Sequence, residues 1–129
     1  MKKQIIDLIK NENALLHIKE FFNNKRSNGV ICLYTAASIY GLCEYNLKEI
    51  DITFPKGSVP KGIYDSRITK YNVFQRNKEF YDEEISKVFF NGKEFRIYSI
   101  EKVVAEIAKE FVNDHLNEKA FLIIKNILE

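Results

Sequence analysis

The apolar positions near the start of the chain follow the spacing of a helix. They recur at helical intervals between residues 5 and 22, and an Asn-Glu-Asn interruption divides the pattern into two helices. Gly29 ends the second helix, because glycine readily adopts the left-handed conformation found at helix ends. Residues 1–28 are therefore predicted to form the N-terminal helices.

Residues 30–54 predict two short strands with a turn of helix between them. Residues 30–33 form a short apolar run, and a turn of helix follows, capped by Thr35 and closed by Gly41. Residues 49–54 then alternate, with apolar side chains at the even positions and polar side chains at the odd ones. This alternation predicts a half-buried strand, which ends at Pro55 because proline donates no inter-strand hydrogen bond.

A further strand and a hairpin are predicted in the second half of the chain. Residues 71–76 have strand character and follow a loop that contains both prolines. Residues 85–90 and 93–98 flank the dipeptide Asn91-Gly92. Asn-Gly between two apolar runs indicates a hairpin, because both central residues of the tight turn need positive φ.

Two helices are predicted after the hairpin. Ser99 is the expected N-cap of an amphipathic helix, and a last helix is expected to begin near Asn117. The acidic cluster at 82–84 is expected to form a turn before the hairpin. The apolar residues of the last helix are predicted to lie on one face: Leu116, Ala120, Ile123, Ile124, Ile127 and Leu128.

These elements predict an α+β fold, with a small antiparallel or mixed sheet of about four to five strands and helices at the N- and C-terminal ends. A chain of 129 residues suits a single domain with its own core. Within that domain, residues 1–28 form the N-terminal helices, 29–112 the core and 113–129 the C-terminal helix.

Composition and charge exclude several classes of protein. The chain is 46% hydrophobic, which indicates a folded core, and its net charge of +2 is too small to indicate nucleic-acid binding by itself. No apolar run reaches the ~18 residues of a membrane span, and there is no secretory signal. We therefore expect a cytoplasmic protein in which Cys32 and Cys43 are reduced, buried thiols, with a disulfide between them as the alternative.

One segment, residues 56–78, is strongly basic. It carries six cationic side chains against Asp65 alone, a net charge of +5. Interleaved aromatic residues would allow stacking, so the segment is a candidate surface for a nucleic acid or another anionic partner. A solvated loop and an edge strand protected by cations would give the same pattern. The candidate binding residues are Lys56, Lys61, Arg67, Lys70, Arg76 and Lys78.

No catalytic or metal-binding constellation stands out along the chain. His17 and His115 are far apart, with no cysteine or second histidine at ligand spacing. Asp51 and Glu94, followed by Arg96, distantly resemble the acidic pattern of metal-dependent nucleases, provided that they lie on neighbouring strands. Solvent-facing charges on alternating strands explain these residues as well. We therefore expect a protein that is not an enzyme and binds no cofactor and no metal. A degenerate metal-dependent nuclease is the remote alternative.

Three motifs, in order, resemble the AbiEi family of type IV antitoxins, which belong to abortive-infection toxin–antitoxin systems of phage defence. Motif 1, residues 29–42, is a short strand, a Thr-Ala-Ala helix start and a Tyr-Gly-Leu ending. Motif 2, residues 50–57, is a strand that ends in Pro-Lys-Gly, similar to the family's Pro, basic residue and Gly. Motif 3, residues 95–106, is similar to the family's Arg-Val strand and Ser-Pro-Glu-Arg-Thr sequence, which an Asp follows one turn later.

The resemblance covers residues 29–112 and implies the family's C-terminal antitoxin domain, without the N-terminal winged helix that serves as its transcriptional regulator. Ile100, Val103 and Glu106 replace the family's Pro, Thr and Asp. The implied function is a non-enzymatic, antitoxin-like or regulatory domain that counteracts an AbiEii-type nucleotidyltransferase toxin without a stable complex. A nucleic-acid-binding module that uses the basic segment is the alternative.

Overall fold

The computed structural model describes residues 29–44, 48–60, 70–90 and 93–128. Five strands and four helices lie within this part of the chain. In chain order they are β1 (Val30–Ile31), α1 (Leu33–Ile39), β2 (Glu49–Pro55), β3 (Lys70–Arg76), α2 (Lys78–Asp82), β4 (Ile85–Phe90), β5 (Lys93–Tyr98), α3 (Ile100–Asn113) and α4 (Glu118–Leu128). The helices predicted within residues 1–28 and the Asn91-Gly92 turn lie outside the described residues.

The strands form one mixed sheet in the order β3-β2-β1-β5-β4. β1 is antiparallel to β2 and parallel to β5, β2 is parallel to β3, and β4 and β5 form the antiparallel pair of the predicted hairpin. α1 packs against both β2 and α3, and α3 packs against α4. The predicted α+β fold with a mixed sheet is therefore confirmed.

The transition from β1 to α1 differs from the prediction. The strand ends at Ile31, the helix begins at Leu33, and Cys32 occupies the N-cap position without a side-chain cap. Thr35, the predicted N-cap, lies inside the helix, and its Oγ1 accepts a hydrogen bond from the backbone N–H of Asp51. The prediction of Thr35 as a cap is wrong because its hydroxyl oxygen bonds to the backbone of β2 and not to the first turn of the helix. The predicted helix end at Gly41 is confirmed, since this glycine has a φ of 80°.

β2 is buried on both of its faces, so the predicted half-buried strand is wrong. Asp51 and Thr53, on the face expected to meet solvent, are only 6% and 1% exposed. The reason is the position of the strand: β2 lies between β1 and β3, and both α1 and α2 pack against it. Pro55 is its last residue, as predicted.

Side-chain caps mark the beginnings of the last two helices where they were predicted. Ser99 Oγ accepts a hydrogen bond from the N–H of Lys102 at 3.1 Å, and Asn117 Oδ1 accepts one from the N–H of Ala120 at 3.1 Å. α2 was not predicted, although Asn77 caps it in the same way, through the N–H of Phe80 at 2.9 Å. A helix of one turn shows little periodicity, so its cap was the only local signal.

The apolar face of α4 is buried over only part of its length. Ala120 and Ile123 are buried, whereas Leu116 and Leu128 are 88% and 83% exposed. Leu116, which was predicted to belong to this apolar face, precedes the helix, and Leu128 is exposed at its end. α4 packs against α3, and the ring of Phe121 contacts that of Phe111.

Both cysteines are free thiols, as expected. Cys32 is buried as predicted, whereas Cys43 is only half-buried, so the prediction that it is buried is wrong. Within the described residues, no helix has the length and apolar character needed to cross a membrane.

Candidate functional site

Two clefts open between the sheet and the C-terminal helices. The smaller one, of about 470 Å³, is called the Arg76 cleft and is lined by Lys56, Gln75, Arg76, Asn77, Phe80, Glu106, Lys109, Glu110 and Asn113. The larger one, of about 980 Å³, is called the Asp51 cleft and lies farther along β2 and β3. Glu110 of α3 lines both clefts.

The Arg76 cleft forms where two parallel strands end. Pro55 of β2 is opposite Arg76 of β3, and the N–H of Lys56 donates a hydrogen bond to the carbonyl of Arg76 at 3.0 Å. Parallel strands present their carboxyl ends at the same edge of a sheet, so this register brings two of the predicted cations together. Lys56 and Arg76 are thus neighbours in space although they are distant in sequence.

Aromatic rings hold the guanidinium of Arg76. Its central carbon lies 5.7 Å from the ring centroid of Phe74 and 5.3 Å from that of Phe80. Such contacts attract a cation to the negative faces of the rings. Arg76 Nε is buried and finds no hydrogen-bond partner among the described residues, and the same is true of Glu106 Oε1 in the same cleft. The cleft therefore contains one donor and one acceptor with unused hydrogen-bonding capacity.

The cleft is mixed in charge. Among its described lining residues, Lys56, Arg76 and Lys109 face Glu106 and Glu110, which leaves a net charge of +1. Burial raises the pKa of Glu106, and the nearby cations Arg76 and Lys102 only partly oppose this effect. The arrangement suits a ligand or surface with both donor and acceptor groups better than a uniform row of phosphates.

Two further cations of the basic segment, Lys70 and Lys78, are not among the described residues that line this cleft. Lys70 lies at the opposite end of β3, roughly 20 Å away along the strand, and its Nζ is 3.9 Å from Glu49 Oε1 in an exposed pair. Lys78 is exposed on α2, and Lys61 and Arg67 lie outside the described residues. The segment therefore remains a predicted anionic-partner site, with Lys56 and Arg76 as its only members known to be adjacent.

Lys109 is a cleft residue that the sequence analysis missed. It belongs to the polar face of α3, on which Glu106, Glu110 and Asn113 follow at helical spacing. That face could have been read from the helical periodicity. Its position beside Lys56 depends on how α3 packs against the sheet, and no local pattern encodes that.

Asp51 joins three elements beside the larger cleft. Its Oδ2 accepts a hydrogen bond from the N–H of Tyr34 at 3.0 Å, and its Oδ1 accepts one from Nδ2 of Asn72 at 2.9 Å. The first bond satisfies a backbone donor in the first turn of α1, so Asp51 supplies from β2 the cap that Thr35 was predicted to supply. Burial raises the pKa of Asp51, and its hydrogen bonds to Asn72, Tyr34 and Thr35 only partly oppose this.

The raised pKa of Asp51 predicts a dependence of stability on pH. A raised pKa means that the Asp51 carboxyl binds a proton more tightly in the folded protein than in the unfolded chain. Asp51 therefore contributes most to the unfolding free energy at low pH. Its contribution falls as the pH rises from the ordinary aspartate pKa of 3.8 through the higher folded pKa. Urea denaturation gives the unfolding free energies of the natural chain and of Asp51→Asn at about pH 3.5 and at about pH 7. The difference between the two proteins should shift against the natural chain as the pH rises. A difference that stayed constant, or shifted in favour of the natural chain, would contradict the assignment.

The nuclease alternative loses its geometric basis. Asp51 is on β2 and Glu94 on β5, and β1 lies between these strands, so the expectation that the two acids are on neighbouring strands is wrong. Glu94 is exposed. Within the described residues, no group of three or more His, Cys, Asp or Glu side chains could hold a metal ion.

The chain was also compared with known proteins. Neither the models of protein families nor the curated proteins give a match. The resemblance to AbiEi antitoxins therefore stays a prediction that rests on the three motifs.

Proposed function

We propose that this chain is an antitoxin-like domain of the AbiEi type, which counteracts a nucleotidyltransferase toxin without catalysing a reaction of its own. The positions of the three motifs support the proposal. Motif 1 contains β1 and α1, motif 2 contains most of β2, and motif 3 contains most of β5 and the start of α3. β2, β1 and β5 are consecutive in the sheet, and α1 packs against α3, so the motifs form one continuous unit.

One observation carries the proposal. Lys56 is the basic residue of motif 2, and Glu106 stands where motif 3 of the family has its acidic residue. These two positions are 50 residues apart in the sequence, yet both side chains line the Arg76 cleft. Two polar motif positions that meet in one cleft are more readily explained by a binding site than by core packing.

The chemistry of the Arg76 cleft favours recognition. Its lining offers cations, carboxylates, amides and the ring of Phe80, and the described lining residues include no serine, cysteine or histidine that could act as a nucleophile or general base in the usual way. Arg76 Nε and Glu106 Oε1 add a buried donor and acceptor that a partner can satisfy. A polar cleft of mixed charge is suited to binding part of a macromolecule or a nucleotide.

Growth rescue tests this proposal. An AbiEii-type toxin encoded beside this chain is expressed from an inducible promoter, with or without the chain on a second plasmid. We expect growth arrest with the toxin alone and restored colony counts when the chain is co-expressed. A catalytically inactive toxin serves as the control for the burden of expression.

The failure of rescue would contradict the proposal if the chain is folded and present at the level of the toxin. The same preparations distinguish the alternative, because nucleic-acid binding through the basic segment weakens steeply with salt and should be lost in the Lys70→Glu, Arg76→Glu double variant. Salt-dependent binding to DNA or RNA without rescue would favour the alternative function.

A further inference from the structure

The Asp51 cleft has a lining that none of the functions above uses. It is bounded by α1, β2, β3 and the C-terminal helices, and its volume of about 980 Å³ is at the upper end of the range for small-molecule sites. Its lining residues are Leu33, Tyr34, Thr35, Leu42, Cys43, Glu44, Lys48, Glu49, Asp51, Asn72, Phe74, Glu110, Lys119, Leu122, Ile123 and Asn126. It therefore combines a large concave surface with several polar groups.

The walls of the cleft are largely apolar. Leu33 and Leu42 come from the α1 region, Leu122 and Ile123 from α4, and Phe74 from β3. Leu122 is 54% exposed, so α4 leaves part of this apolar surface open to a ligand. A molecule that enters the cleft can bury an aliphatic or aromatic body here, which is the main source of affinity in such sites.

The polar lining is net negative. Among the described lining residues, four carboxylates, those of Glu44, Glu49, Asp51 and Glu110, oppose two cations, Lys48 and Lys119, and the balance is −2. Lys70, outside this lining, forms the exposed pair with Glu49. Lys119 is directed at the ring of Tyr34, 5.5 Å from its centroid. Asp51 is the most deeply placed of the carboxylates, at 6% exposure. The charge of the cleft therefore complements a cation and opposes an anion.

Asp51 has acceptor capacity beyond its internal bonds. Its oxygens accept hydrogen bonds from Tyr34 and Asn72, with the backbone of Thr35 as a further contact, whereas a carboxylate offers about four lone-pair sites. Those two bonds also fix the orientation of the carboxylate, so no side-chain rotation is needed when a ligand binds. A charged donor placed beside this carboxylate would form a charge-assisted hydrogen bond in a poorly solvated position.

We propose that the Asp51 cleft binds a small organic cation, in which an amine contacts the Asp51 carboxylate and an apolar or aromatic body lies against Phe74 and Leu122. Three observations lead to this class of ligand: the size of the cleft, its apolar walls and its negative balance of charge. The proposal is independent of antitoxin activity, because Glu110 is the only residue that the described linings of the two clefts share. The bound state is reversible and requires no reaction.

A pair of probes that differ only in charge tests the proposal. Tryptamine carries an ammonium group on an indole ring, and indole-3-propionate carries a carboxylate at a similar position. The chain contains no tryptophan, so the emission of either indole can be followed in the presence of the protein. We expect tryptamine to bind at least about tenfold more tightly than indole-3-propionate, a difference of roughly 1.4 kcal/mol. Equal affinities, or tighter binding of the carboxylate, would overturn the proposal.

Matched variants locate the binding. Leu122→Arg places a cation in the cleft, and Leu128→Arg makes the same change on the same helix at a residue that does not line the cleft and is 83% exposed. We expect Leu122→Arg to weaken tryptamine binding about tenfold or more and Leu128→Arg to leave it unchanged. Asp51→Asn should weaken it similarly. If Leu122→Arg and Leu128→Arg bind tryptamine equally well, the cleft is not the site, whether or not Asp51→Asn folds.

The rate at which Cys43 is alkylated reports whether the Asp51 cleft of the natural chain is occupied. It lines the cleft and is half-buried, whereas the only other cysteine, Cys32, is 1% exposed. Tryptamine at saturating concentration should slow the alkylation of Cys43 by N-ethylmaleimide severalfold, with the modified peptide identified by mass spectrometry. Indole-3-propionate at the same concentration is the control. An unchanged rate of Cys43 alkylation under saturating tryptamine would place the bound amine elsewhere and overturn the proposal.

Discussion

Replacing Thr53 with lysine is expected to lower the free energy of unfolding by about 4 kcal/mol, the usual loss when an unpaired charge is forced into a core. Thr53 is 1% exposed in the centre of β2, opposite Val30 of β1 and Phe74 of β3. A lysine there cannot extend to water without displacing a neighbouring strand or helix. Urea denaturation measures the loss. Thr53→Val should cost less than Thr53→Lys, because it removes the hydroxyl that bonds with Cys32 and Tyr98 but introduces no charge.

Gln75→Lys is the matched control for this prediction. Gln75 lies on the adjacent strand β3 and is exposed, so the same charge should change the unfolding free energy by no more than about 0.5 kcal/mol. A small effect of Thr53→Lys, equal to that of Gln75→Lys, would mean that this face of β2 meets solvent. The half-buried strand predicted from the alternation would then be correct, and the described sheet would be wrong at its centre.

Lys102→Ala is expected to cost about 3 kcal/mol, because it removes a charged donor from two backbone acceptors. Nζ of Lys102 donates to the carbonyl of Glu83 at 2.8 Å and also to the carbonyl of Phe80. It lies 4.1 Å from the ring centroid of Phe80 and 3.9 Å from that of Tyr98. One side chain of α3 thereby connects this helix to the end of α2 and to β5.

Lys109→Ala provides the control on the same helix, since Lys109 is exposed and should lose no more than about 0.5 kcal/mol. The readout is the unfolding free energy from urea denaturation, with hydrogen exchange of the α2 amides as a local measure. Faster exchange in α2 should accompany the loss in Lys102→Ala. If Lys102→Ala and Lys109→Ala were equally stable, the contacts of Lys102 with α2 would contribute nothing to the fold.

The elements that follow from local signals were predictable from the sequence. The hairpin of β4 and β5, the caps at Ser99 and Asn117 and the helix end at Gly41 each depend on a few adjacent residues. The features that depend on distant residues were not. Thr35 was predicted to be a cap, but its hydroxyl oxygen accepts a hydrogen bond from the backbone N–H of Asp51, 16 residues away. The burial of Thr53 likewise follows from the order of strands and the helices above them.

The candidate sites show the same division. Lys56 and Arg76 were among the six predicted cations, because their charge is visible in the sequence. Their separation from Lys70 follows from the parallel register of β2 and β3, which no short pattern encodes. The Asp51 cleft was not predicted, since its walls come from segments up to about 90 residues apart that meet only in the folded chain.

The central claim is that motifs 2 and 3 meet at the Arg76 cleft, through Lys56 and Glu106, and that antitoxin activity depends on this cleft. Lys56→Glu changes its charge from +1 to −1, because two cations, Arg76 and Lys109, then face three carboxylates. Lys87→Glu makes the same substitution on β4, at the opposite edge of the sheet, where the side chain is exposed. Both variants should remain folded, since both lysines are exposed.

The most direct measurement is growth rescue from the toxin by the natural chain, Lys56→Glu and Lys87→Glu at equal protein levels. The account predicts full rescue by the natural chain and by Lys87→Glu, and colony counts at the level of the empty vector with Lys56→Glu. Full rescue by Lys56→Glu, or no rescue by the natural chain, would contradict it.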